Sequence, residues 1–154
     1  MNRHLPLLLL PITFGFGCDR NLGNLDGHDL GRPESVVFNR NENGHIMIVM
    51  SDLEDLCDEL SKADPPSMDN YWVVSAWTNV GVAEEGEYAV EAYAAVASHK
   101  DNDEYDTEAG GVDFLRMRED IIKAKVDVTF PGNDRLKARV KARHCAADLF
   151  VGMR

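Results

Sequence analysis

Basic side chains alternate with other residues in two neighbouring segments near the end of the chain. The six basic residues are Lys123, Lys125, Lys137, Arg139, Lys141 and Arg143, and Asp127 is the one acidic residue that shares their alternation. Successive side chains of a β-strand point to opposite faces of a sheet, so this spacing gathers the six cations on one face of a hairpin. The chemistry that such a face offers is the binding of phosphate or carboxylate groups.

Like charges that face one another across a strand pair repel, so this face needs a negative counterpart. We expect the acidic residues of 84–91 or 101–108 to lie within a Debye length, about 8–10 Å, of the face. The alternative is a docking surface for lipid phosphate or for an acidic partner.

The other residues that could carry chemistry form no catalytic set. The segment 101–108 offers oxygen ligands for Ca²⁺, but it lacks the glycine and the spacing of an EF-hand, so we interpret 98–110 as a solvated surface loop. The histidines are scattered at His4, His28, His45, His99 and His144. The sequence has no G-x-S-x-G, H-E-x-x-H or phosphate-loop motif. We therefore predict no catalytic residue, no metal site and no cofactor.

The first 17 residues have the layout of a secretory signal peptide. Arg3 precedes an uncharged apolar run from Leu5 to Phe16, and Cys18 follows directly after Gly17. This arrangement resembles a bacterial lipoprotein signal, in which the cysteine becomes the lipidated first residue of the mature chain. Gly17 fits that pattern, whereas Gly15 stands where the family prefers leucine. We predict lipidation at Cys18 and anchoring in the cell envelope, in the periplasm or at the outer surface, with a plain secreted protein as the alternative.

The two other cysteines form an even pair in an exported chain. Cys57 lies on the apolar face of a predicted helix, and Cys145 ends the last predicted strand. We predict a disulfide between them, and the alternative is two free buried thiols.

The chain divides into three parts. Residues 1–17 are the predicted signal peptide, and 18–34 combine the lipidated cysteine with a flexible tether, because the segment is polar, rich in glycine and has no periodicity. Residues 35–154 form a single β-rich domain.

Period-2 patterns dominate this domain. Predicted strands cover 36–40, 45–50, 71–78, 87–96, 111–117, 122–130 and 136–142, with hairpin turns at Asn41–Gly44 and Pro131–Arg135. The alanines of 87–96 leave a helix as the alternative for that segment. One α-helix is predicted over about 51–62, where Ser51 and Glu54 form a capping box. Strands at short spacing with one helix indicate a mainly β (α+β) fold: a small antiparallel sheet, barrel-like or a sandwich.

Composition limits the function classes. The 154 residues carry a formal net charge of −11, which makes nucleic acid an unfavourable partner. The predicted partners are instead the membrane, through the lipid anchor, and an envelope protein or ligand.

The C-terminal hairpin resembles that of a group of uncharacterised bacterial lipoproteins common in myxobacteria. The similarity lies in Val126–Phe130, Gly132–Leu136, the small residues Ala124, Ala138 and Ala142, and the final Cys145. The resemblance implies an envelope location and a small β domain. We expect a non-enzymatic binding or structural module, and the alternative is a secreted or periplasmic enzyme or enzyme inhibitor that acts through loops 79–87 and 98–110.

Overall fold

The computed structural model describes residues 22–62, 70–97, 102–107, 109–147 and 149. Their strands are β1 (Asn24–Leu25), β2 (His28–Asp29), β3 (Ser35–Arg40), β4 (Ile46–Ser51), β5 (Tyr71–Thr78), β6 (Gly86–Ala97), β7 (Asn102–Asp106), β8 (Ala109–Met117), β9 (Ile121–Phe130) and β10 (Asp134–His144). The helix α1 spans Leu56–Leu60, and a 3₁₀ turn at Pro131–Asn133 joins β9 to β10.

Seven of these strands close into a barrel. Their order is β5, β4, β3, β10, β9, β8 and β6, and β6 pairs back to β5. The neighbouring pairs are antiparallel except for β3 and β10, which run parallel. Strand β7 adds to the C-terminal part of β6. The predicted mainly β fold with one helix is confirmed.

Side chains fill the interior of the barrel. Every second residue of β9 from Ile122 to Phe130 is buried, and so is every second residue of β10 from Leu136 to Ala142. They belong to one core cluster with Phe114 of β8. Because these side chains occupy the interior of the barrel, a ligand site is expected on its outer surface.

The folded part of the chain begins earlier than predicted. Strands β1 and β2 form a small hairpin, and Leu22, Leu25 and Leu30 are at most 3% exposed within the barrel core. The amide of Lys137 in β10 donates a hydrogen bond to the carbonyl oxygen of Leu22 over 2.9 Å. The prediction of a flexible tether over 18–34 is therefore wrong for residues 22–34, because burial of three leucines fixes this segment to the domain.

A second, smaller core lies on the outside of β3 and β4. Val37, Met47 and Val49 pack there against α1 and the segment that follows β10. The predicted disulfide is present: the Cα atoms of Cys57 and Cys145 are 5.6 Å apart, and the bond joins α1 to the end of β10. The side-chain amide of Asn39 also donates to the carbonyl oxygens of Cys145 and Ala147.

The helix is shorter than the predicted 51–62. Ser51 is the last residue of β4, and its hydroxyl donates to the carbonyl oxygen of Trp72 over 2.6 Å. The same hydroxyl oxygen accepts from the amide of Leu53. Because these contacts use the Ser51 side chain, the predicted capping box does not form, and α1 begins five residues later at Leu56.

Two other expectations have clear outcomes. Both hairpins, β3–β4 and β9–β10, form as predicted. The predicted loop 98–110 is wrong for 102–106, which pair with β6 as strand β7, and for 109–110, which begin β8. Strand β7 pairs with Tyr93–Ala97, the part of β6 that extends beyond its pairing with β8.

Among the described residues, no helix is long and apolar enough to cross a membrane.

Candidate functional site

The six predicted basic residues lie together on the outer surface of β9 and β10, which we call the β9–β10 face. The antiparallel register places Lys137 opposite Asp127, Arg139 opposite Lys125 and Lys141 opposite Lys123. Arg143 lies opposite the apolar Ile121, at the end of the strand pair. The alternation that buries the intervening residues in the barrel therefore produces two directly opposed pairs of cations on the surface.

Acidic residues neutralise one end of this face. The Lys125 Nζ atom is 3.0 Å from a carboxylate oxygen of Asp113 in β8, and Lys137 is 3.5 Å from Asp127. Arg135 donates two hydrogen bonds of 2.6 Å to the two Asp127 oxygens. We call Lys125, Lys137, Arg135 and these two carboxylates the paired half.

The electrostatics of Asp127 reflect this arrangement. The hydrogen bond from Arg135 lowers the pKa of the Asp127 carboxyl; burial opposes this effect, and the positive charges of Arg135 and Lys137 lower the pKa further. The same contact raises the pKa of the Arg135 guanidinium. Asp127 is thus held ionised as the counter-ion of two cations.

The other end of the face, the open half, consists of Lys123, Arg139, Lys141 and Arg143. All four side chains are exposed. Among ion pairs formed between described residues, none within 4.0 Å includes any of the four. Arg116 of β8 lies opposite Lys123 from the other side, which places three cations in a row across β8, β9 and β10. Repulsion within this row opposes folding.

A groove of about 880 Å³ runs beside the open half. Strands β3 and β10 pair at only two positions, Arg143 with Val37 and His144 with Phe38. The chain before β3 turns away toward β4, and the groove lies where the two strands are not paired. That turn is held by a hydrogen bond from the Glu34 amide to the Ser51 carbonyl oxygen. The groove is lined by Arg32, Pro33, Glu34, Ser35, Val36, Glu54, Asp55, Leu115, Lys123, Arg139, Val140, Lys141 and Arg143.

The lining of this groove carries charges of both signs. The open half supplies four cations from β9 and β10, and Arg32 adds a fifth. Glu34, Glu54 and Asp55 are the acidic lining residues. Apolar surface is also available, because Leu115 sits in an irregularity of the β8–β9 register and is 37% exposed. This composition suits an anion attached to an apolar body.

A second groove, of about 670 Å³, lies over the paired half and β6. Its charged lining residues are Glu87, Asp113, Lys125, Asp127, Arg135 and Lys137. Glu87 belongs to the predicted acidic segment 84–91 and lies opposite Asp113 in the register. Positive and negative groups alternate here and contact one another, so this groove offers less attraction for an external ion than the first.

Glu87 of the predicted acidic segment 84–91 lines the same groove as Lys125 and Lys137, but the contacts within 4.0 Å come from other carboxylates. Asp113 and Asp127 make the contacts with the predicted basic residues, and sequence reasoning assigned Asp113 no such role. It also missed Arg135, which was placed in the turn. Both could have been found from spacing, since Arg135 continues the alternation of β10 and Asp113 has the matching parity in the preceding strand.

The remaining candidates occupy separate structural positions. The Nδ1 atom of His45 lies 2.8 Å from the Thr78 carbonyl oxygen, and His144 packs edge-on against Phe38. His28 lies 3.5 Å from Asp103. His4, His99 and the lipidation candidate Cys18 fall outside the described residues. Within the part of the chain that the structure describes, no group of three or more His, Cys, Asp or Glu side chains is arranged for a metal ion.

Strand β7 carries part of the predicted Ca²⁺-like segment, and its side chains make local contacts. The Tyr105 hydroxyl donates to an Asp26 oxygen over 3.2 Å, and burial together with nearby carboxylates raises the Tyr105 pKa to about 12. Burial and a hydrogen bond with Glu104 likewise raise the pKa of Tyr93 to about 12. These tyrosines stay protonated at neutral pH and act as hydrogen-bonding residues between β1–β2, β6 and β7.

No protein-family model matches the chain, and no curated protein or solved structure matches it. Its function is therefore inferred from the geometry described above.

Proposed function

We propose that the chain is an exported protein, anchored to the cell envelope by a lipid on Cys18, that binds an anionic partner at the open half of the β9–β10 face. The role is binding rather than catalysis. The apolar segment before Cys18 supports export, and the Cys57–Cys145 disulfide is compatible with an oxidising compartment outside the cytoplasm.

The binding proposal depends on a difference between the two halves of one face: described carboxylates contact the cations of the paired half but not those of the open half. Lys123, Arg139, Lys141 and Arg143 stand beside a groove, and no described carboxylate comes within 4.0 Å of them. Opposed cations of this kind destabilise the free protein, and an external anion removes that repulsion. Because side chains fill the barrel interior, the outer groove is the place for this partner.

Lipid anchoring is tested by Cys18→Ser in the full chain expressed in a bacterial host. The wild type is expected in the membrane fraction, with a mass increased by the lipid, and the variant is expected to lose both properties. Thr13→Ser, which keeps the cysteine and the apolar run, is the matched control. Normal processing and membrane association of Cys18→Ser would show that the anchor is wrong.

Anion binding is tested with the detergent-solubilised full chain on immobilised heparin, a general polyanion. The double variant Arg139→Gln/Lys141→Gln is expected to elute at lower salt than the wild type, because it removes two cations of the open half. Arg40→Gln/Lys62→Gln removes one arginine and one lysine elsewhere and serves as the control. Equal elution of both double variants would contradict a specific role for the open half.

A further inference from the structure

We infer that the anionic partner of the open half is the headgroup surface of the membrane that holds the protein's own lipid anchor. This inference rests on the proposed anchor at Cys18 and names the ligand of the proposed binding face. It follows from the place where the folded domain begins.

The first step concerns the length of chain between anchor and domain. Leu22, whose side chain lies in the barrel core, is the fourth residue after Cys18. Four residues span at most about 14 Å even when fully extended. The long tether expected from the sequence would have let the domain move freely above the bilayer, whereas this short connection keeps it close to the headgroups.

The second step concerns which surface lies next to the anchor. The Lys137 amide in β10 donates to the carbonyl oxygen of Leu22, and the neighbouring Gly23 lies against the backbone of Arg135. The chain therefore leaves the domain alongside β10. Strands rise about 3.3 Å per residue, so Arg139 and Lys141 lie about 7 and 13 Å further along the strand.

The third step concerns charge. The whole chain carries a net charge of −11, so an anionic bilayer repels most of its surface. The open half is the exception, and it lies on the strand beside the anchor. Each lysine or arginine near an anionic leaflet adds attraction within about a Debye length. The anchor and the open half together would orient the domain with β10 toward the bilayer.

The groove beside the open half fits a phospholipid. Its cations can contact phosphate oxygens, and the exposed Leu115 can contact the apolar boundary of the headgroup layer. Glu34, Glu54 and Asp55 line the same groove and would be repelled by the leaflet. We therefore expect Lys123 and Lys141 to approach the headgroups while α1 stays further from them.

The test uses the lipidated full chain, added from detergent to preformed vesicles so that the domain lies outside. One set of vesicles contains phosphatidylcholine alone, and the other contains an equimolar mixture with phosphatidylglycerol. A membrane-impermeant amine reagent labels the lysines, and mass spectrometry gives the labelling rate at each one. On anionic vesicles the rates at Lys123 and Lys141 are expected to fall about fivefold, while Lys62 beyond α1 keeps its rate. High salt should restore both rates.

Variants connect this protection to the open half. In Arg139→Gln/Lys141→Gln, Lys123 is expected to lose its protection on anionic vesicles, whereas Arg40→Gln/Lys62→Gln should keep it. Protection of Lys123 that is equal in both double variants would overturn the inference.

Other outcomes separate this inference from the proposed anchor. A protein that floats with both vesicle types but shows equal labelling of Lys123 and Lys141 on them would overturn the membrane as partner and leave the anchor intact. Protection in native envelopes without protection on vesicles of the extracted lipids would overturn it in favour of an acidic protein. Failure to float with any vesicle would refute the anchor itself, and this inference with it.

Discussion

The paired half and the open half of the β9–β10 face use the same basic residue types on the same two strands, yet among the described residues only the paired half has carboxylates within 4.0 Å of its cations. The difference originates in the third strand. β8 presents Asp113 to Lys125, but after its register shift it presents Arg116 to Lys123. Within β9, Asp127 contacts Lys137 and Arg135, and no described carboxylate lies within 4.0 Å of Lys141. The role of alternating charges on one strand pair therefore depends on which residues the neighbouring strands place beside them.

The largest expected effect concerns the disulfide, which joins α1, next to the groove residues Glu54 and Asp55, to the end of β10 beyond the open half. Cys57→Ser/Cys145→Ser removes a cross-link with a sequence separation of 88. We expect the free energy of unfolding to fall by about 4–5 kcal/mol in the chain-entropy model, measured by urea denaturation.

Hydrogen exchange shows which of the two halves loses stability when the disulfide is removed. In the double serine variant, amides of α1 and of Cys145–Ala147 should exchange faster, because they lose the bond that joins them. Amides of β8 and β9 beneath the paired half should change less. An equal increase in both regions would show that the disulfide stabilises the whole barrel rather than the wall of the groove.

The second prediction concerns the pH dependence of the paired half. Hydrogen bonding from Arg135 lowers the folded-state pKa of Asp127, so its contribution to stability is fully present above the unfolded-state pKa and is lost as pH falls through the folded-state pKa. Asp127→Asn should therefore reduce the thermal midpoint at neutral pH. The difference from the wild type should shrink in acid, below about pH 4.

Thermal unfolding of both proteins across a pH series measures this effect. Asp29→Asn, which removes a carboxylate outside the β9–β10 face, is the control for the change in net charge. A constant difference between wild type and Asp127→Asn from neutral to acidic pH would mean that packing, not the ionised carboxylate, is responsible.

The third prediction concerns Asp113, the counter-ion that β8 supplies. Asp113→Asn leaves Lys125 facing Arg139 without a carboxylate 3.0 Å away. Since the pair is partly exposed, the loss of stability should be at most about 1 kcal/mol, and it should diminish in high salt. Chemical denaturation at low and high salt measures both quantities. A loss that is independent of salt would contradict an electrostatic origin.

Local patterns in the sequence were sufficient for the elements that carry the face. The alternation in 122–130 and 136–142 predicts β9, β10 and their outward cations, because period 2 and a short turn determine both register and side. The disulfide was also predictable, since two cysteines that remain after a predicted export signal have few alternatives to pairing with each other. These features depend on residues that are close in sequence or on a simple count.

The rest depends on contacts that no local pattern encodes. Strands β1 and β2 have two residues each, too short to show an alternation, so the buried Leu22, Leu25 and Leu30 resembled part of a tether. The hydroxyl of Ser51 bonds with Trp72, 21 residues away, and this contact overrides its capping pattern. The groove likewise depends on the parallel pairing of β3 with β10, whose register joins residues about a hundred positions apart.

The smallest effect we predict is a gain in stability, opposite in sign to the losses predicted above, and it distinguishes the two halves most directly. Lys141 faces Lys123 directly, and Lys123 also faces Arg116. Replacing Lys141 by Gln in the free protein should therefore raise the free energy of unfolding by a few tenths of a kcal/mol at low salt, because it removes a like-charge pair across the strands. Lys137→Gln in the paired half is the matched control and should lower stability, since Lys137 faces Asp127 and lies 3.5 Å from its carboxylate. Denaturation of both variants at low and high salt measures the two signs, which screening should bring toward zero together. A loss of stability in Lys141→Gln similar to that in Lys137→Gln would mean that the open half is already compensated within the protein, and the reason for assigning it an external anion would disappear.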